Sequence, residues 1–163
     1  EHIGIYGKNG IGKTTLLKQI LDHIVKDSNI RVGYMPQDYW EQMDTNSGCI
    51  EFLTPSMIKE DVTRARLYMG GMNFTTNEMT NKIASLSGGQ KAKLYLLKMV
   101  LDGCNVLVLD EPTRNLSPLS NPVIREKLKS FKGTIIAVSH DRKFLKEVCD
   151  KHYEMTERGL VQR

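Results

Sequence analysis

Three stretches of this chain carry residue types that handle phosphate and water. The first, Gly7-Lys8-Asn9-Gly10-Ile11-Gly12-Lys13-Thr14, with Thr15 next, fits the spacing G-x-x-x-x-G-K-[ST]. Its three glycines let the backbone wrap an anion with N–H groups turned inward, and the positive end of a following helix adds to the attraction. Lys13 would reach the outer phosphates, and the Thr14 hydroxyl would hold Mg2+. The second stretch is Asp110-Glu111, two carboxylates at the end of an apolar run. Asp110 could hold the hydration shell of Mg2+, and Glu111 could polarise a water for in-line attack on a terminal phosphate. The third is His140, which could hydrogen-bond that phosphate or the water. Plainer readings stand beside each: a glycine-rich turn, a loop start, and a surface histidine at a helix start. Ser139, His140 and Asp141 form no hydrolytic triad, because neighbours in sequence cannot adopt the relay geometry.

The elements around these residues would deliver them to one edge. Ile3, Ile5 and Tyr6 read as a buried parallel strand, and Leu16, Leu17, Ile20, Leu21, Ile24 and Val25 recur at helical spacing, so the first motif lies where a strand hands over to a helix. A second strand is expected over 30–34, ending at Met35-Pro36-Gln37. Residues 38–85 change character, with helical spacing through Ile58, Val62, Ala65 and Met69, and are expected to form a mostly helical insertion. At Leu86-Ser87-Gly88-Gly89-Gln90 a new helix begins, with Ser87 as N-cap, Leu94, Leu97, Val100 and Leu101 inside, and Gly103 as its stop. Val106 to Leu109 is the strand feeding Asp110. Asn121 and Pro122 start a further helix, Thr134 to Val138 is the next strand, Phe144, Leu145 and Val148 belong to a last helix, and 152–162 reads as a short hairpin around Gly159. Alternating strands and helices mean an α/β domain with a parallel sheet, whose ligands lie at the carboxyl ends of the strands.

Composition sets wide bounds. A chain of 163 residues is long enough for one domain with a core, and 40% hydrophobic with 26% charged residues is ordinary for a globular protein. The net charge of +4 permits an anionic partner without demanding one. Cys49, Cys104 and Cys149 have no metal-ligand spacing, and their odd number suits a reducing, cytoplasmic setting. No apolar run is long enough to cross a bilayer. With Glu1 only six residues before Gly7, the chain opens inside its first core strand, as an N-terminally truncated fragment would.

LSGGQ at 86–90 adds a second helix start suited to an anion, in a separate place from the first. With the loop at Gly7, Gln37 at a strand end, Val106 to Glu111, and His140, it makes the chain resemble the ATP-binding cassette (ABC) ATPases over nearly its whole length. The resemblance implies a P-loop NTPase fold: one nucleotide-binding domain over 1–163, a mostly parallel sheet flanked by helices, and a helical subdomain over 38–85 between the Gln37 loop and LSGGQ. It implies ATP and Mg2+ as cofactors, with Gly7, Lys8, Asn9, Gly10, Gly12, Lys13, Thr14 and Thr15 on ATP and Thr14, Gln37 and Asp110 on the metal. Gln37 would sense Mg2+ and the attacking water, Glu111 would be the general base, and His140 would assist. Ser87, Gly88, Gly89 and Gln90 would meet ATP held by a second cassette, from the same longer chain or a homodimer.

Finer features are similar to the ABC-F proteins, which carry two cassettes and act on ribosomes. They are Val138-Ser139-His140-Asp141-Arg142 with Phe144-Leu145, and Asp110-Glu111-Pro112-Thr113 followed by Asn115-Leu116. Arg114-Asn115-Leu116-Ser117-Pro118-Leu119-Ser120 looks like the second cassette of the antibiotic-resistance branch, although Ser117 stands where the wider family has Asp. No adenine-stacking aromatic can be assigned. Lys91, Lys93 and Lys98 would form a solvated helix face or touch ribosomal RNA. The alternative is the nucleotide-binding subunit of a membrane transporter, in which 38–85 would dock a membrane partner. Chromosome-structure ATPases share LSGGQ but expect a long coiled coil, and 38–85 shows no sustained heptads.

Overall fold

The computed structural model describes residues 1–114 and 116–163, so the expectation for Asn115 lies outside the described residues. The chain divides into two compact units, one made of 1–37, 103–114 and 125–163, the other of 38–102 and 115–124.

The first unit is built on a six-stranded sheet. β1 (His2–Gly7), β2 (Val32–Met35), β3 (Val106–Asp110), β4 (Thr134–Val138), β5 (Lys151–Thr156) and β6 (Gly159–Gln162) lie in the order β2-β3-β4-β1-β5-β6. All neighbours are parallel except β5 and β6. β2 starts two residues later than its apolar pattern suggests: the Arg31 N–H donates to the Asn105 side chain, at Oδ1, at 2.9 Å, while its carbonyl accepts from the Asn105 and Val106 N–H groups at 2.9 and 3.2 Å. The expected terminal hairpin is only half the story, since β5 also runs parallel to β1, Ile5 facing Tyr153.

α1 (Lys13–Ile24) packs through Leu17 onto Ile5, Val108 and Val138. Val25, counted with its apolar face, lies beyond the helix and is 59% exposed. Burying one such aliphatic side chain is worth about 1.5–3 kcal/mol, and this cluster ties the helix to the three central strands. Buried His2 fastens the start of β1, its ring nitrogens 2.9 Å from the Val148 carbonyl oxygen and 3.2 Å from that of Phe131.

The second unit is helical. α2 (Cys49–Leu53), α3 (Lys59–Gly71) and α4 (Thr76–Thr80) precede α5 (Gly88–Leu101). α6 (Ser120–Lys129) begins in this unit and ends in the first, where α7 (Arg142–Val148) follows β4. α5 departs from its apolar spacing: Leu94 and Leu97 are buried as expected and Val100 and Leu101 only partly, while Ala92, Leu96 and Met99 are buried as well. Lys93 is 5% exposed, which overturns its place on a solvated basic face. Glu78 is the nearby anion that offsets its burial, and desolvation still lowers the Lys93 pKa.

Candidate functional site

Lys13, Thr14, Gln37, Glu111, Arg114 and His140 line one cleft of about 720 Å³, together with Asn9, Gly10, Gly12 and Thr15. The sheet topology explains why residues so far apart in sequence meet. β1, β2, β3 and β4 are parallel, so Gly7, Gln37, Asp110 and His140 all leave the same edge of the sheet.

The loop after β1 holds its shape through glycine. Gly10 and Gly12 have φ of 77° and 101°, in the left-handed region that side chains rarely adopt. A β-carbon at Gly7 would come within 2.6 Å of the Met155 carbonyl oxygen on β5. Gly12 is the N-cap of α1 and offers no side-chain cap. The first turn of α1 therefore presents its N–H groups to the cleft, which suits an anion. Lys13 is buried, and its ammonium donates to the carbonyls of Gly7 and Lys8, both at 2.9 Å.

Asp110 ends β3 with 1% exposure, and the Thr14 hydroxyl donates to its Oδ2 at 2.7 Å. That hydroxyl spends its proton on the carboxylate and keeps its lone pairs for a cation. Gln37 donates from Nε2 to Asp110 Oδ1 at 3.3 Å, while its Oε1 accepts from Arg114 Nη1 at 2.8 Å. Among the described residues no group of three or more His, Cys, Asp or Glu is placed to hold a metal. Two or three neutral and anionic oxygens beside a phosphate cradle instead suit Mg2+, which keeps most of its water and takes few protein oxygens.

Glu111 follows with φ of 54°, left-handed although it carries a side chain. Its N–H donates to the Val138 carbonyl at 2.9 Å, and the Arg114 N–H returns to the Glu111 carbonyl at 3.0 Å, closing a turn. The side chain, 11% exposed, accepts from the His140 backbone N–H at 3.2 Å, with the His140 ring Nε2 3.5 Å from its other oxygen. Burial pushes the Glu111 carboxyl above its ordinary value, against the pull of the His140 N–H and ring. A carboxylate held in place, with its affinity for a proton raised by burial, is suited to accept one, and this is the chemistry the cleft can perform. Ser139 and Asp141 do structural work: Asp141 Oδ1 caps α7 by accepting from Lys143 and Phe144 N–H at 2.9 and 3.0 Å, and Ser139 Oγ accepts from Asp141 N–H.

The signature stretch lies in the other unit. Ser87 caps α5, its Oγ accepting from the Gln90 N–H at 3.2 Å. A β-carbon on Gly88 would meet nothing, while one on Gly89 would collide with the Ser120 hydroxyl. Gln90 turns inward at 8% exposure and donates to Glu78 Oε2 at 2.9 Å. Glu78 also accepts from the Thr75 N–H at 2.8 Å, and this bond leads the causes that lower its pKa. The sequence signal for Glu78 is present in Thr75-Thr76-Asn77-Glu78, a capping box. Ser117, in place of an expected Asp, accepts at Oγ from the Ser120 N–H at 3.3 Å, so a neutral hydroxyl fastens the turn before α6. Arg114 was readable only as part of a family-like string, and nothing local foretold its contact with Gln37.

Comparison with known proteins gives a consistent set. A family model described as ABC transporter matches residues 1–114. ABC transporter F family member 2 of Arabidopsis thaliana is 33% identical over 99% of this chain and 25% of its own length. Protein GCN20 of Saccharomyces cerevisiae is 31% identical over the whole chain and 22% of its own length, and the probable ATP-binding protein YheS of Escherichia coli is 33% identical over 98% and 26%. The chain thus spans about a quarter of these relatives. Among solved structures, the ATP-binding cassette MJ0796 in a dimeric, post-hydrolysis state bound to ADP and Pi superposes with TM-score 0.82 at 18% identity, covering all of this chain and 84% of that one. A putative metal-chelate type ABC transporter superposes with TM-score 0.78 at 19% identity, covering all of this chain and 71% of that one. At these identities the likeness is one of fold.

Proposed function

The chain belongs to the ABC transporter family, and from that premise we propose that it is the ATP-hydrolysing cassette of a cytoplasmic ABC-F protein that protects or regulates ribosomes. Residues 1–163 act as one nucleotide-binding domain, with 38–85 as its helical insertion. The observation that carries the hydrolytic reading is the Glu111 carboxylate, held in the cleft of Lys13 by the His140 N–H with its pKa raised.

The loop from Gly7 to Thr15 cradles the phosphates of ATP with backbone N–H groups, and Lys13 exchanges its carbonyl partners for the outer phosphates. Thr14, Asp110 and Gln37 would hold Mg2+, which would supply positive charge against that developing on the phosphate oxygens. Glu111 takes the proton of the attacking water, and His140 keeps that carboxylate in place. Ser87 and Gly88 are exposed at the start of α5 with Gly89 buried beside them, and this helix start supplies, through Ser87, Gly88 and Gly89, an anion site for ATP on a second cassette, so that full activity needs two. The inward turn of Gln90 leaves this outer role to the residues before it. The ABC-F assignment draws support from the F-family names among the relatives.

A transporter subunit is the second reading. It is favoured by exposed apolar side chains in the helical unit, with Met57 and Ile58 each 53% and Leu67 75% exposed. Among the described residues no helix is long and apolar enough to cross a membrane, so membrane attachment in that reading needs a partner chain.

One variant tests both levels. Glu111→Gln is expected to keep ATP binding while cutting turnover about a hundredfold or more, whereas Lys13→Ala loses most ATP binding. Equal turnover in wild type and Glu111→Gln removes Glu111 as base. In the full-length protein the same variant with ATP is expected to co-sediment with ribosomes, and recovery with membranes instead favours the transporter.

A further inference from the structure

Arg114 occupies an atom that the cleft has reason to want. The Gln37 amide has one acceptor and one donor end, with Nε2 beside Asp110 Oδ1 and Oε1 accepting from Arg114 Nη1 at 2.8 Å. This orientation is forced: a carboxylate only accepts and a guanidinium only donates, so the amide is satisfied one way round. Oε1 is also the sole side-chain atom of Gln37 able to bind a cation or accept from a water. The backbone makes the meeting reproducible. β2 and β3 pair with Met35 opposite Leu109, which sets Gln37 beside the turn of Glu111, and the Arg114 N–H closes that turn.

We propose that Arg114 is a positioning residue that keeps the Gln37 amide oxygen from metal and water until a terminal phosphate in the cleft draws its guanidinium away. Arg114 is exposed and lines the same cleft as Lys13. A guanidinium prefers a phosphate, to which it gives two charge-assisted bonds, over one neutral amide oxygen. A nucleotide with three phosphates competes for Arg114, and one with two competes less. The inference rests on the role given to Gln37 above and adds what controls it.

Mn2+ is the probe, since it accepts oxygen ligands and its electron paramagnetic resonance separates bound from free ion. Its dissociation constant is measured on wild type and variants with ADP and with a non-hydrolysable ATP analogue, folding being checked by circular dichroism. Arg114→Ala is expected to tighten Mn2+ about fivefold in the ADP complex and to leave the triphosphate complex within about twofold. Arg114→Lys, which keeps a donor, stays near wild type, and adding Gln37→Ala to Arg114→Ala abolishes the gain. Equal weakening of both complexes by Arg114→Ala, or no change with ADP while Gln37→Ala weakens the triphosphate complex, overturns the proposal and leaves the role of Gln37 intact. If Gln37→Ala changes neither complex, the assignment of Gln37 to the metal fails first and the proposal falls with it.

Discussion

Glu111 combines two costs in one residue. A side chain at φ 54° is strained by about 1–3 kcal/mol, and its carboxylate is kept from water. The N–H bond to Val138 and the returning bond from Arg114 hold the strained turn closed. Because burial raises the Glu111 pKa, the carboxyl gains its proton at higher pH than an ordinary glutamate does. A base must be unprotonated, so turnover is expected to fall as pH drops through that raised value. A kcat–pH profile checks this: its acidic limb lies above the ordinary range in wild type, and the residual rate of Glu111→Gln lacks it. At this scale Lys13, Asp110, Glu111 and His140 were legible because motif spacing and strand ends place them. Arg114 was not, since its contact spans 77 positions and depends on which strands pair.

At the scale of elements, α5 shows what periodicity reveals and what it hides. Ser87 was legible as N-cap from its type and place, and the bond to Gln90 N–H is the one that reading requires. The burial of Lys93 was not, because period counting finds one apolar face while packing closes nearly all of them. Two substitutions separate cap from packing. Ser87→Ala is expected to cost about 1 kcal/mol by losing the cap, and Gly89→Ala about 1–3 kcal/mol because its methyl collides with Ser120. Urea unfolding monitored by circular dichroism ranks them, and a milder effect at Gly89 contradicts the close approach. Ser117 makes a related point: the turn before α6 needs an acceptor, which a hydroxyl provides without charge.

For the molecule as a whole, strand type and crossover connections were readable from the alternation of periods, and the strand order was not. Nothing local says that β1 lies between β4 and β5, since their pairing joins residues more than 130 positions apart. The placement of Ser87 in a different unit from Lys13 bears on activity. If the signature serves a second cassette, ATP turnover per chain is expected to rise with chain concentration in a dilution series followed by phosphate release. Constant, brisk turnover from a monomer, verified by light scattering, contradicts the two-cassette requirement.

The position of β1 also sets a timetable for synthesis. Of these six strands the one that carries the glycine loop is made before the others, yet one neighbour ends at Val138 and the other starts at Lys151. Until those later segments leave the exit tunnel, β1 lacks the two strands it pairs with in the folded sheet, and such long-range closure is slow. The glycine loop is thus expected to gain the sheet support for gripping nucleotide late in the synthesis of this stretch.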